Sequence, residues 1–387
     1  MSTAVKLIHS GMAGAPTLAN VAGNLVSVLN AALVDGFGLN TVDSLVIAGG
    51  VATVTRAAGH PFDVGAVALI AGAATTTGTV NGERRVLAIT ATSYTFDAAG
   101  IGNQTATGTI TQAVAPLGWG RPFAGSATLQ VYRSADVTGT RLHLRVDDTG
   151  TTNGRVVGYE TMSTDSVGAG PFPTADLRSG GLYLPKCAAG LTNRPWMVVG
   201  DGRLFYLWVQ YRNESFGQQF IASFGDFTSK KSPDPFACIL TGGSGDFTSS
   251  TGGLSSCWSL SSTGAVNAYL ARGVSGLGVA VGAAHPALHP RGSQTLYSGE
   301  ASTAHIAFPN PADNSVYLVP FTLHEVASPT CYRGDAPGVF FLPHNVGPGV
   351  FALRERITGV TGYDGRTFTA FPTPTGVMFF DTTGPWR

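Results

Sequence analysis

The stretch RLHLRVDDTGTTNGRVVGYETM, residues 141–162, gathers three carboxylates, Asp147, Asp148 and Glu160, in a chain otherwise poor in charge. Neighbouring acids can form a catalytic pair, one carboxyl giving a proton while the other attacks or activates water. They can equally be oxygen ligands for calcium, or the loop and return strand of a hairpin. The residue pattern favours the hairpin. Leu142, Leu144 and Val146 alternate with Arg141, His143 and Arg145, which is the period of a half-buried strand. The returning RVVGYETM sets Val157, Tyr159 and Thr161 on one face and Glu160 on the other. Between them, 147–154 is built of Asp, Thr, Asn and Gly, because Asx side chains bond their own backbone and glycine supplies the left-handed conformation. A calcium loop would alternate its ligands and place a glycine at the bend. Glu160 is expected to face Arg145 or Arg141 across the pair. All three acids then read as structural, Asp147 and Asp148 in an exchangeable surface loop.

Other candidates are weaker. His285 and His289 in AHPALHP stand four apart, but Pro286 and Pro290 exclude the regular helix that would aim both rings at one metal. Cys187, Cys238, Cys257 and Cys331 are widely spaced with no C-x-x-C, and read as free buried thiols rather than a zinc site or a disulfide framework. The tripeptide RGD at 333–335 reads as a turn before APGVFFLP. No nucleophile elbow, zincin or phosphate-loop motif occurs. No catalytic, cofactor-binding or metal-binding residue is therefore assigned, and the chain reads as no enzyme.

The elements that must carry these residues are strands. Gly (52) and Pro (22) are spread along all 387 residues, and both are poorly tolerated inside helices. The expected fold is mainly β: a short N-terminal helix, then a small β-sandwich module, then a larger antiparallel β-sandwich region. Residues 1–40 form an arm and helix serving as an assembly contact, 41–115 an Ig-like module, 116–127 a linker and 128–387 the larger region. The helix is placed over 16–37, where Leu18, Val21, Leu25, Val28, Leu29, Ala32 and Leu33 recur on one face, with Thr17 as cap and Gly36 as stop. Its other face carries Asn20, Asn24, Ser27 and Asn30. Gly49-Gly50 and Asn81-Gly82 mark tight turns. Leu204 to Tyr211, apolar on both sides, predicts a strand covered on both faces. GDFTS recurs at 225–229 and 245–249, and 242–266 reads as an exposed loop. The terminal GVMFFDTTGPWR is expected to dock rather than fray.

Only 12% of residues are charged, about half the usual share, and 23 basic residues balance 23 acidic ones. No basic run exceeds Arg84-Arg85 or Lys230-Lys231, which argues against nucleic acid. The longest apolar stretch, 18–34, is broken by Asn20, Asn24, Ser27 and Asn30, so no membrane span is expected. The first residues do not read as a signal peptide. A surface so neutral predicts association with further subunits.

Three stretches resemble structural proteins of tailed bacteriophages and prophages: LRVDDTGTTNGRVVGYETM followed by GPFPT; WMVVGDGRLFYLWVQ with FGDFTS; and YRGDAPGVFFLPH with GVMFFDTTGPWR. VNGERRVLAITATSYTFDAAG is also similar to small β modules of phage tail proteins. The resemblance implies a non-enzymatic virion component, tail or baseplate associated, assembled in the host cytoplasm with copies of itself and other virion proteins, without nucleic acid, membrane or cofactor. A receptor- or glycan-binding tail protein is the alternative, favoured by Trp258 and Tyr297 in polar loops and implying a host-surface glycan as partner. A head decoration protein or a cell-wall hydrolase ranks below both.

Overall fold

The strand Leu204–Gln210 is buried along its whole length, and its two faces enter different cores. Phe205, Leu207 and Val209 pack with Trp196, Phe220 and Phe224. Leu204, Tyr206 and Trp208 pack with Phe371, Met378 and Phe380. Two-sided apolarity thus marks a middle layer, as the pattern requires. The structure, a computed structural model, describes residues 2–212, 219–243, 245, 268–284, 307, 309–326, 331–342, 344, 350–373 and 376–387.

The fold is mainly β, with every pairing antiparallel in three sheets. The largest has thirteen strands. It runs from the N-terminal strand Lys6–His9 through Trp196–Gly200, Leu204–Gln210 and Gln219–Asp226, and on to Gly376–Asp381, Thr367–Thr373 and the edge strand Arg356–Thr358. Its two halves fold face to face: Tyr206 meets Phe380 at 5.0 Å and Trp208 meets Phe371 at 6.3 Å between ring centroids. A six-stranded sheet carrying the 141–162 hairpin covers the outside of the first half, with Phe172 over Phe224 at 6.2 Å.

The small module is an eight-stranded sheet folded over itself. The strand Gly82–Ile89 bends at a register shift between Val86 and Ala88, pairing with Val67–Ala71 before the shift and Ser93–Asp97 after it. Its layers enclose Leu45, Ile47, Val54, Ile70, Tyr94 and Phe96. Gly49 (φ 58°) and Gly50 (φ 77°) close the expected hairpin, with Ala48 opposite Val51. At Asn81-Gly82 there is no two-residue turn; the connection spans 72–81, and the Asn81 side chain pins Ala73 N and O. The strand Phe37–Thr41 pairs with Thr111–Val114 and so belongs to this module.

The helix is shorter than its apolar period suggests. It runs Asn24–Leu29 and continues as one wide π-type turn, Asn30–Asp35, stopping at Gly36 as expected. Residues 16–18 are tied elsewhere: Pro16 O accepts the Trp196 indole N–H at 2.9 Å, and Leu18 O accepts Arg194 N at 2.7 Å. Thr17 therefore caps nothing. Of the polar face, Ser27 is exposed while two half-buried asparagines are tied into the fold, Asn30 Oδ1 accepting from Tyr132 OH at 2.9 Å and Asn24 Oδ1 from Ala19 N at 3.1 Å. The segment 116–127 is anchored at its start, where Leu117 and Trp119 are buried and the Trp119 indole donates to Asp201 O at 3.0 Å, while none of residues 120–127 is buried.

Candidate functional site

The three acids of the opening stretch are held apart. Strands His143–Asp147 and Asn153–Met162 pair with Asp147 opposite Arg155, so the connecting loop is only 148–152. Asp147 is half-exposed and accepts from the Thr149 hydroxyl at 2.7 Å, an ordinary Asx turn. Glu160 does not meet Arg145 or Arg141; it takes a two-pronged ion pair from Arg272 at 2.5 and 2.6 Å. The reason is register: His143 faces Tyr159, which sends Glu160 past the end of its partner strand.

Asp148 is no exchangeable loop acid. Its side chain and that of Lys186 are both 0% exposed and meet at 2.5 Å. Asp148 Oδ2 accepts Leu25 N at 2.7 Å and Val26 N at 3.1 Å, capping the helix from 122 residues away in sequence. Burial pushes its carboxyl up from the ordinary value, against the pull of Lys186 and the two amides. With donors on both oxygens, the ionised form is the one that fits. Lys186 Nζ also donates to Val21 O at 2.9 Å and Gly150 O at 2.6 Å, so its three N–H bonds are used and no lone pair remains for nucleophilic work.

The RGD tripeptide lies inside the strand Cys331–Phe341, not in a turn. Arg333 is buried, paired with Glu325 and with Asp234 at 3.0 Å, so it cannot be presented to a receptor. Cys187 and Cys238 are buried free thiols whose pKa burial raises, and Cys331 is a half-buried one. Among the described residues no group of three or more His, Cys, Asp or Glu could hold a metal, and no helix is long and apolar enough to cross a membrane. His285, His289, Cys257, Trp258, Tyr297, most of the 242–266 stretch and the second GDFTS lie outside the described residues.

One cleft lined by ionisable side chains lies where three distant segments meet. The N-terminal strand supplies Leu7 and His9, the small module Asp63 and Gly65, and the last strands Arg354 and Arg356, around a volume of about 380 Å³. His9 Nε2 lies 2.7 Å from Asp63 Oδ2, and Gly11 N donates to His9 Nδ1 at 3.1 Å. Those partners assign the ring proton to Nε2 and occupy the lone pair on Nδ1, leaving no free base. The hydrogen bond from His9 holds the Asp63 carboxyl below its usual range. Arg354 Nη1 sits 3.0 and 3.1 Å from the two ring nitrogens and 3.6 Å from Asp63. Of the cleft's hydroxyls, Thr369 and Thr382 bond each other at 3.1 Å and Thr383 bonds Asp381 at 3.1 Å. Among the described residues, Asp63 is the single carboxylate lining the cleft, and no serine or cysteine lines it.

Behind this cleft Arg85 joins the same three segments. Its buried guanidinium donates to Val5 O and Gly65 O at 2.7 Å each, Ser2 O at 2.7 Å and Thr382 O at 3.1 Å. Burial lowers its pKa. Nothing in the sequence pointed to His9, Asp63, Arg85, Arg354 or Arg356: the first and fourth are 345 residues apart. The one available signal was Arg84-Arg85, the module's sole basic pair.

No protein-family model matches the chain, and none of the curated proteins does either.

Proposed function

We propose that this chain is a non-enzymatic structural component of a bacteriophage virion, of the tail or baseplate, assembling with copies of itself and with other virion proteins. The observation that carries the reading is where the scarce charge goes. Asp148–Lys186 and Arg333 with Asp234 and Glu325 are buried ion pairs, and Arg85 is spent on backbone carbonyls. The outer surface also carries large apolar side chains, among them Leu39, Val137 and Leu277 at 73%, 78% and 77% exposure. Interfaces exclude isolated charge from their centres, so such a surface suits burial between subunits. The stretches that resemble phage proteins also build the frame: the helix-capping hairpin, the middle-layer hairpin, and the last strand with its terminal tryptophan.

The test is mass spectrometry and labelled electron microscopy of purified particles from a phage encoding the chain, with light scattering of the isolated protein. Detection at fixed stoichiometry on the tail and concentration-dependent oligomers are expected. Absence from particles, or release of fragments from peptidoglycan by the purified chain, would overturn the reading.

A further inference from the structure

We propose that the cleft between the N-terminal strand and the last strands binds a carboxylate-bearing ligand about the size of one sugar ring, gripped by Arg356 beside Arg354. This stands independently of where the chain sits in a particle. Three observations carry it.

Arg354 has φ 67°, a left-handed backbone that non-glycine residues rarely adopt. The neighbouring strand holds it there, Arg354 N donating to Ala370 O at 2.9 Å and Ala370 N to Glu355 O at 2.8 Å. The effect is to lay the guanidinium over His9 and beside Asp63. Strain of this kind persists where a side chain must be aimed.

Arg356 lies on the exposed edge strand and, among the described residues, its guanidinium makes no hydrogen bond or ion pair. Its Nη2 lies over Gly65, 3.3 Å from where a Cβ would stand. The same Gly65 offers its carbonyl to Arg85 at 2.7 Å from the other side. Arg85, whose charge is offset by the nearby carboxylates of Asp381 and Glu83, thus stands behind an unpaired guanidinium, that of Arg356. The resulting potential is local and attracts an anion.

The count of groups selects the anion. Two arginine forks line the cleft and one carboxylate, Asp63, already shares it, so one further monoanion completes two guanidinium–carboxylate pairs. A phosphate dianion would face Asp63 uncompensated, and among the described residues no helix start lines the cleft to receive it. Leu7, Met12 and Leu353 supply an apolar wall for a small ring, and 380 Å³ is near the lower end for ligand sites. A uronic-acid residue of a surface polysaccharide and a free organic acid share this chemistry.

Isothermal titration of the full chain with glucuronate, a short polyuronate, cyclohexanecarboxylate, inorganic phosphate and glucose tests the site. Saturable carboxylate binding is expected, with glucose silent. Arg356→Gln should weaken binding at least tenfold without moving the melting temperature, since the Arg356 guanidinium makes no hydrogen bond among the described residues and the strand pairing is untouched. Asp63→Asn, which removes the competing charge, should tighten it severalfold. Polyuronate binding better than cyclohexanecarboxylate identifies a glycan source and the reverse a free acid; both support the site. No saturable binding of any carboxylate, phosphate binding as well as glucuronate, or an unaffected Arg356→Gln variant would overturn it.

Discussion

Asp147 and Asp148 are adjacent in sequence and opposite in consequence. Replacing Asp147 with Asn should shift stability by no more than about 1 kcal/mol, because its bonds are those of a half-exposed turn. Asp148→Ala strands the Lys186 ammonium and uncaps the helix, and should cost about 3–5 kcal/mol in urea unfolding. The double change Asp148→Leu with Lys186→Met should recover much of that, since an apolar pair leaves no uncompensated charge. Equal, small effects of the two single variants would contradict the buried pair. His143 gives a second residue-scale test. Desolvation, helped by Arg133 and Arg141, depresses its pKa, and its Nδ1 is buried without a hydrogen-bond partner. The folded state therefore binds fewer protons than the unfolded one between the depressed value and the ordinary 6.5. Stability from this group is full above that ordinary value and is lost as pH falls through the window. His143→Gln should flatten the decline between pH 7 and 5, measured as melting temperature against pH.

At the scale of elements, the terminal strand and its tail show what sequence could and could not supply. Val377, Met378, Phe379 and Phe380 alternate between two cores, as the apolar run implies. Trp386 then folds back, its indole donating to Asp381 O at 2.9 Å and its ring edge-on to Tyr206 at 5.8 Å. Gly338 makes room for it: a Cβ there would stand 2.0 Å from the indole, and its φ is 71°. Gly338→Ala should lift the tail and expose it to limited proteolysis, and Trp386→Ala should cost roughly 2–3 kcal/mol. A protease-resistant Gly338→Ala tail would contradict this docking. Strand positions were legible because period-two alternation is local, as in Leu142, Leu144 and Val146. The helix was misread at its start because Leu18 continues the apolar period while its backbone is bound to Arg194. Periodicity reports burial, and here Leu18 is buried before the helix has begun. Glu160 and the Arg333 tripeptide failed for a related reason: their partners, Arg272, Asp234 and Glu325, are set by sheet order.

On the scale of the molecule, the question is whether the parts stand alone. The small module closes its own two layers around Leu45, Ile47, Ile70, Tyr94 and Phe96 once the strand Phe37–Thr41 is counted with it. The larger region does not close. Its middle layer relies on Lys6–His9 as edge strand, on Leu18, Leu25 and Leu29 in the core shared with Trp196 and Phe224, and on Trp119 against Phe205 at 5.3 Å. Arg85 adds a bond from the module to both chain ends. Residues 36–115 expressed alone should therefore give a dispersed NMR spectrum and a cooperative melt. Residues 128–387 alone should be insoluble or bind a hydrophobic dye, because losing the arm uncovers one face of the layer and the free edge of Trp196–Gly200. Supplying residues 1–127 in trans should restore solubility if the cores are shared as described. A soluble 128–387 fragment with the melting temperature of the whole chain would show instead that the arm and the module are appended to a self-sufficient domain. The N-terminal segment would then be free to act as an external contact, whereas here its strand and helix are built into the fold they would have to leave.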